Sequence, residues 1–243
     1  YDNLKITPSA PVPGRNPAKD RELVSDDFSA ELDKKWVSKT MDDIDVSDGK
    51  MKVTSGERVD RYVLYSENMT ESKYIVETTL DVSGGNSGVL IKGGFNAENV
   101  YEGYSFTYDK ENNLMKASRY HNGYLSIVEK VRVAPLNGEH TMTVCVDGSR
   151  HSMYVDGKLV LEFIDSTFND GSVGYMAYNG TGTFDNLKVY AGGAETAPTA
   201  PPVSGENPES TQPAEPTDSV DESQITESSS ASVPSAEPGE GEP

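Results

Sequence analysis

The stretch HTMTVCVDGSRHSMYVDGKLVLEF, residues 140–163, constrains the fold most. Apolar and polar residues alternate through it, and the alternation is broken twice by Asp-Gly, at Asp147-Gly148 and Asp156-Gly157. Asp-Gly supplies the positive φ angles of tight hairpin turns, so the segment reads as three antiparallel strands in a meander. Chain on either side has the same character. SKYIVETTLDV alternates over Tyr74, Val76, Thr78 and Leu80, and GVLIKGG is a short apolar run before a glycine pair. GYSFTYD places Tyr104, Phe106 and Tyr108 on one face, with Ser105 and Thr107 on the other. GSVGYMAYNGT and TFDNLKVYA read as two more strands. No amphipathic helix of three turns is visible, and SAELDKKW has room for one turn or two. Many short strands with Gly-rich turns predict an all-β jelly-roll β-sandwich. First and last strands are often neighbours in such folds, which would bring VSDDF (24–28) beside TFDNLKV.

Composition divides the chain. Residues 7–20 hold four prolines and no apolar periodicity, which reads as a linker. Residues 21–191 have the aromatic and β-branched content of one domain, long enough to bury about 70% of its unfolded surface. Residues 192–243 are Pro, Ser, Thr, Glu and Gly, an acidic tail expected to be disordered because it has little to bury. YDNLKI at residues 1–6 echoes FDNLKV at 184–189, so the chain reads as an excerpt that opens on the last strand of a preceding similar domain. Net charge is -19, and the tail carries 11 of the 40 acids and no Lys or Arg. The remaining 29 acids against 21 bases make a surface poorly suited to nucleic acid. No apolar run is long enough for a membrane helix. The lone Cys145 excludes an internal disulfide and reads as a buried strand residue.

Catalytic motifs are absent. His121, His140 and His151 stand apart in sequence, belong to no HExxH-like pattern, and read as surface or strand-end residues. GNSGV fits a strand entrance rather than a nucleophile elbow. Asp42, Asp43, Asp45 and Asp48 read as a solvated turn, although carboxylates are plentiful enough to leave a hydrolytic pair open. Sugar recognition needs aromatic faces beside charged or planar polar groups. Residues 92–124 hold that mixture, and Lys92, Tyr101, Glu102, Tyr104, Arg119 and Tyr120 are the candidate carbohydrate contacts. The competing reading makes Tyr104 a core residue and Lys92 and Arg119 rim charges paired with Glu102 or Glu129, with Trp36 in the core.

The succession DDF, Trp36, IVETTLDV, GGNSGVLIKGG, EGYSFTYDKENNLMKASRYHNG and GSVGYMAYNGTGTFDNLKVY resembles the concanavalin A-like (laminin G-like) sandwich over residues 24–191. More narrowly it resembles modules attached to bacterial fructan-, arabinan- and xylan-degrading glycoside hydrolases, above all carbohydrate-binding family 66. The resemblance implies a non-catalytic module of a secreted or cell-surface enzyme, monomeric within a larger modular chain, with polysaccharide as partner; a structural spacer or adhesin domain that binds nothing small is the alternative. It also implies a structural calcium in some relatives, for which Asp26 or Asp27 and Asp185 are the candidates here. GGNSGV resembles the 3-keto-disaccharide hydrolase domain as well, though Ser105 stands where that family usually has an acid.

Overall fold

The computed structural model describes residues 18–193 except 30, 31, 33 and 40. The hexapeptide 1–6, most of the linker and the acidic tail therefore lie outside the described residues. Fifteen strands follow one another: β1 (Lys19–Asp26), β2 (Trp36–Ser38), β3 (Ile44–Ser47), β4 (Lys50–Thr54), β5 (Asp60–Tyr65), β6 (Lys73–Val82), β7 (Asn86–Phe95), β8 (Tyr101–Asp109), β9 (Leu114–His121), β10 (Tyr124–Arg132), β11 (His140–Asp147), β12 (Arg150–Val155), β13 (Lys158–Ile164), β14 (Ser172–Tyr178) and β15 (Thr181–Gly192). One 3-10 turn, Met41–Asp43, is the only helical element among the described residues. The helical turn expected in SAELDKKW falls partly on residues 30, 31 and 33, outside the described residues; Lys34 and Lys35 form a turn and Trp36 opens β2. No helix among the described residues is long and apolar enough to cross a membrane.

The strands form two antiparallel sheets. One runs β13-β12-β11-β6-β15-β4-β3, with β1 also paired to β15, and the other runs β10-β9-β8-β7-β14-β5-β2. The Asp-Gly meander is present as β11–β12–β13. Asp156 (φ 49°) and Gly157 (φ 74°) both take the left-handed conformation of a two-residue hairpin. β1 pairs with β15, Val24 facing Val189 and Asp26 facing Leu187, so first and last strands are neighbours as expected. β1 begins at Lys19, inside the segment read as linker.

The core lies between the sheets. Tyr104, Phe106 and Tyr108 of β8 point into it against Tyr74, Val76 and Leu80 of β6. Tyr175 stacks on Phe184 at 4.0 Å and lies parallel to Trp36 at 5.6 Å. Burying each such ring stabilises by on the order of 2–3 kcal/mol. Polar groups inside the sandwich are partnered where the chain can manage it. The Tyr175 hydroxyl and Thr78 Oγ1 lie 2.9 Å apart, and Thr78 Oγ1 donates to the Asp185 carbonyl at 2.8 Å.

The seven-stranded sheet buries residues on its other face too. Ser105 and Thr107 are buried there beside Leu64, Leu90, Tyr101 and Met176. Alternation therefore fixes the phase of β8 but does not make its polar face a solvated one.

Candidate functional site

Residues 165–171 carry the chain from β13 in one sheet to β14 in the other. Three adjacent strands of the seven-stranded sheet each send a side chain to this crossover: Lys92 from β7, Tyr104 from β8 and Arg119 from β9. Tyr104 and Arg119 are cross-strand partners, so their side chains leave the same face together. The Tyr104 hydroxyl donates to Asp165 Oδ1 at 2.6 Å. Arg119 Nη1 donates to Asp165 Oδ2 at 2.6 Å and to Thr167 Oγ1 at 3.1 Å. Burial alone would raise the Asp165 pKa. Hydrogen bonds from Tyr104 and Thr167 and the Arg119 charge outweigh it and hold the carboxyl at about 2. Burial, and then Asp165, push the Tyr104 hydroxyl up to about 12.

Below this pair lies a buried polar layer. Lys92 is only 4% exposed, and its Nζ donates to the carbonyls of Gly148 (2.7 Å) and Phe168 (3.1 Å). Its position follows from a β-bulge. The β7–β8 register slips between Ile91 and Gly94, and Lys92 itself has φ 48°. Burial lowers the Lys92 pKa, partly offset by Asp165 and Asp170. His151, read from sequence as a surface or strand-end residue, is instead fully buried between Phe163 (5.0 Å) and Tyr104 (4.8 Å). Neither ring nitrogen of His151 has a partner. Burial, and then the Lys92 charge, depress its pKa to about 4, so the ring is neutral at pH 7.

The rim above is polar and open. Glu102 Oε1 accepts the Asn122 amide at 3.0 Å and Asn96 Nδ2 at 3.4 Å, and lies 3.9 Å from His121 Nδ1. Asn122 Nδ2 lies 3.2 Å from His121 Nε2, and the His121 ring meets Phe168 edge-on at 5.4 Å. Asn96, Ala97, Glu98, Val100, Asn122 and Gly123 line a depression of about 380 Å³ between the β7–β8 and β9–β10 hairpins. Tyr124, next in the chain, is 77% exposed.

The six sequence-derived candidates thus divide. Glu102 and the outer part of Arg119 are on the rim. Arg119 pairs with Asp165, not with Glu102 or Glu129. Lys92 and Tyr104 are buried beneath the rim, because their polar heads find loop carbonyls and a carboxylate inside the fold. Tyr101 and Tyr120 are on the opposite face of the sheet. There Tyr62 stacks on Tyr101 at 4.4 Å, and Tyr120 packs edge-on against both. Burial raises the pKa of all three phenols and of Asp60, whose carboxyl is hydrogen-bonded to Tyr62. Sequence reasoning missed Asp165, Thr167, Asn96, Asn122 and Tyr62. The polar loops DSTFND and FNAENV and the turn YHNG carried the only signal for the rim residues, and loop composition does not say which strand it covers.

The calcium candidates Asp26 and Asp185 accept hydrogen bonds from the chain itself. Asp26 accepts the Phe28 amide and the Trp36 indole N–H, both at 2.9 Å, and Asp185 Oδ1 accepts the Asn186 amide at 2.6 Å. Among the described residues no group of three or more His, Cys, Asp or Glu is placed to hold a metal.

The 3-keto-alpha-glucoside-1,2-lyase-like domain family matches residues 26–190, nearly the whole sandwich. The chain belongs to this family. Membership makes it a domain related to carbohydrate-active enzymes. Over 146 residues it is also 25% identical to a levanase of Bacillus subtilis (strain 168), spanning 59% of this chain and 21% of the levanase. The chain thus covers about a fifth of that enzyme's length. Among solved structures, the carbohydrate binding module CBM66 from Bacillus subtilis superposes with a TM-score of 0.56 at 20% identity, over 64% of this chain and 95% of that one. A Bacillus subtilis protein of unknown function with a galectin-like fold gives 0.59 at 11% identity, over 72% and 98%. A GH43 protein from Bacillus licheniformis gives 0.54 at 18% identity, over 69% and 39%. These likenesses establish the jelly-roll sandwich for the family member described here.

Proposed function

We propose that the sandwich is a non-catalytic carbohydrate-binding module of a secreted, multi-modular glycoside hydrolase, holding the enzyme on a polysaccharide of the fructan, arabinan or xylan class. The carrying observation is the rim: Asn96 and Asn122, both bonded to Glu102, line an open depression, and β9, whose Arg119 pairs with Asp165, ends at His121 next to Asn122. A sugar hydroxyl both donates and accepts. A fixed guanidinium beside fixed carboxylates offers each hydroxyl of a diol one partner of either kind. Tyr124 offers a ring to the apolar side of the sugar. Similarity to a levanase and to CBM66 supports the reading. The echo of FDNLKV in YDNLKI supports a second copy nearby, which would raise avidity. Affinity gels cast with levan, inulin, arabinan and xylan test the proposal. Retardation by at least one is expected, and free migration through all four refutes it.

A second reading, chemistry on 3-keto glycosides, is favoured by the family match and by Asp60, a carboxyl with a raised pKa bonded to Tyr62. It requires the purified chain to release free sugar from a 3-keto-disaccharide and Asp60→Asn to stop that release. Absence of release dismisses it.

A further inference from the structure

Lys92 raises a question that sugar contact does not answer, since its ammonium is turned inward, away from the rim. Its backbone is clamped from two sides. A Cβ on Gly171 (φ 134°) would stand 2.4 Å from the Lys92 carbonyl carbon, and one on Gly103 (φ 140°) would stand 2.8 Å from the Lys92 oxygen. Those close approaches hold the bulge at Lys92 and aim its side chain between the sheets. The head then meets two separate loops: Gly148 in the β11–β12 turn, and Phe168 in the crossover that also carries Asp165 and Thr167.

We infer that Lys92 is a positioning residue for the glycan site: its buried ammonium ties the β11–β12 turn to the 165–171 crossover and so fixes Asp165 and Thr167 before a ligand arrives, without touching the ligand. This inference rests on the carbohydrate reading of the rim. An apolar side chain would fill the same space but take the charged donor away from the Gly148 and Phe168 carbonyls, and with it the link between the two loops. A long cation reaches both carbonyls at once. Lys92 and Asp165 also attract each other, alongside the Arg119 charge that acts on the same carboxylate. The other contacts on the crossover agree with one preformed arrangement. The Asp165 amide donates to the Ser149 carbonyl at 2.9 Å, the Thr167 amide donates to Asp165 Oδ1 at 2.8 Å, and the Phe168 amide donates to the Tyr104 hydroxyl at 3.3 Å. Lys92 and the Asp165–Ser149 bond both join the crossover to the β11–β12 turn, so losing the lysine frees the Phe168 side of that join. A site ordered in advance avoids the entropy of ordering a loop on binding, and this is where Lys92 contributes affinity.

Lys92→Met and Lys92→Arg, made in the full chain, test the inference by two readouts. Hydrogen exchange of the 166–171 amides reports the loop, and retardation in levan gels reports the site. Lys92→Met is expected to speed exchange at 166–171 and to weaken levan retention, each by about tenfold, with exchange in β4 and β15 unchanged. Lys92→Arg, whose guanidinium reaches the same carbonyls, is expected to restore both. Unchanged exchange at 166–171 in Lys92→Met overturns the inference, as does a loss shared by the whole domain that Lys92→Arg does not rescue. If Lys92→Met does not fold, Lys92→Arg decides: protection at 166–171 like that of the wild type supports the brace, and its loss in a folded variant overturns it. If the wild-type chain ignores levan, the carbohydrate reading is what fails for that glycan, and the exchange arm still judges the brace.

Discussion

Acid should lower the stability of this domain in two windows, the upper one set by His151 and the lower one by carboxyls that include Asp165. His151 is fully buried with both ring nitrogens unpartnered, and its pKa drops from 6.5 to about 4 on folding. Above pH 6.5 the ring is neutral in both states and costs nothing. As pH falls from 6.5 towards 4 the unfolded chain takes up a proton that the folded chain refuses, so stability declines. A displacement of that size corresponds to about 3 kcal/mol, fully lost below pH 4. Asp165 acts in a lower window. Its pKa falls from 3.8 to about 2 on folding, so it stabilises above pH 3.8 and loses about 2 kcal/mol as pH drops through 2. His151→Phe keeps an aromatic ring against Phe163 and Tyr104 and removes the first window only. Urea unfolding between pH 7.5 and 3, followed by fluorescence of the single Trp36, measures this. The wild type should lose about 3 kcal/mol more than His151→Phe between pH 7 and 4. Parallel pH profiles for the two proteins would refute the reasoning.

Three further outcomes follow from the same geometry. Burial, and then the nearby Glu77 charge, push the Cys145 thiol up to about 12, so the folded chain should resist thiol reagents at pH 8 and react only in urea; rapid labelling of the native protein would contradict its burial. Gly171→Ala places a Cβ against the Lys92 backbone at a positive φ and should cost about 3 kcal/mol or more in thermal unfolding, whereas Gly56→Ala, which meets nothing within 4 Å, should stay within about 0.5 kcal/mol. Glu102→Gln should weaken glycan retention about tenfold at unchanged stability, because its oxygens serve rim amides rather than the core; an equal loss with Asp60→Asn would move the site to the other face.

Local signals in the sequence carried the architecture. Asp156-Gly157 fixed a hairpin because few other pairs accept two positive φ angles in succession, and Asp48 (φ 57°) with Gly49 (φ 69°) closes β3–β4 by the same chemistry. Period 2 in GYSFTYD put Tyr104, Phe106 and Tyr108 on the core face, and the lone Trp36 is buried beside Tyr175. The site was only half legible, since Lys92 and Arg119 have the right chemistry for a sugar and only the 165–171 crossover decides where their heads go. Phe168 of that crossover is 76 residues downstream of Lys92 in sequence, and nothing local in GVLIKGG announces that its lysine turns inward. His151 was misplaced for a related reason: alternation put it in phase with the core, but a titratable residue is usually read outward. Tyr62 escaped notice because DRYVLY reads as an ordinary strand, and its stack with Tyr101 crosses β14 and β7 to reach β8.

Chemical-shift mapping of isotope-labelled protein titrated with short oligosaccharides of the polysaccharide that retards it tests the central claim most directly. Shifts are expected at the amides of residues 96–102, 119–124 and 165–168, around the rim. Shifts gathered instead around Asp60, Tyr62 and Tyr178, with the rim silent, would contradict it.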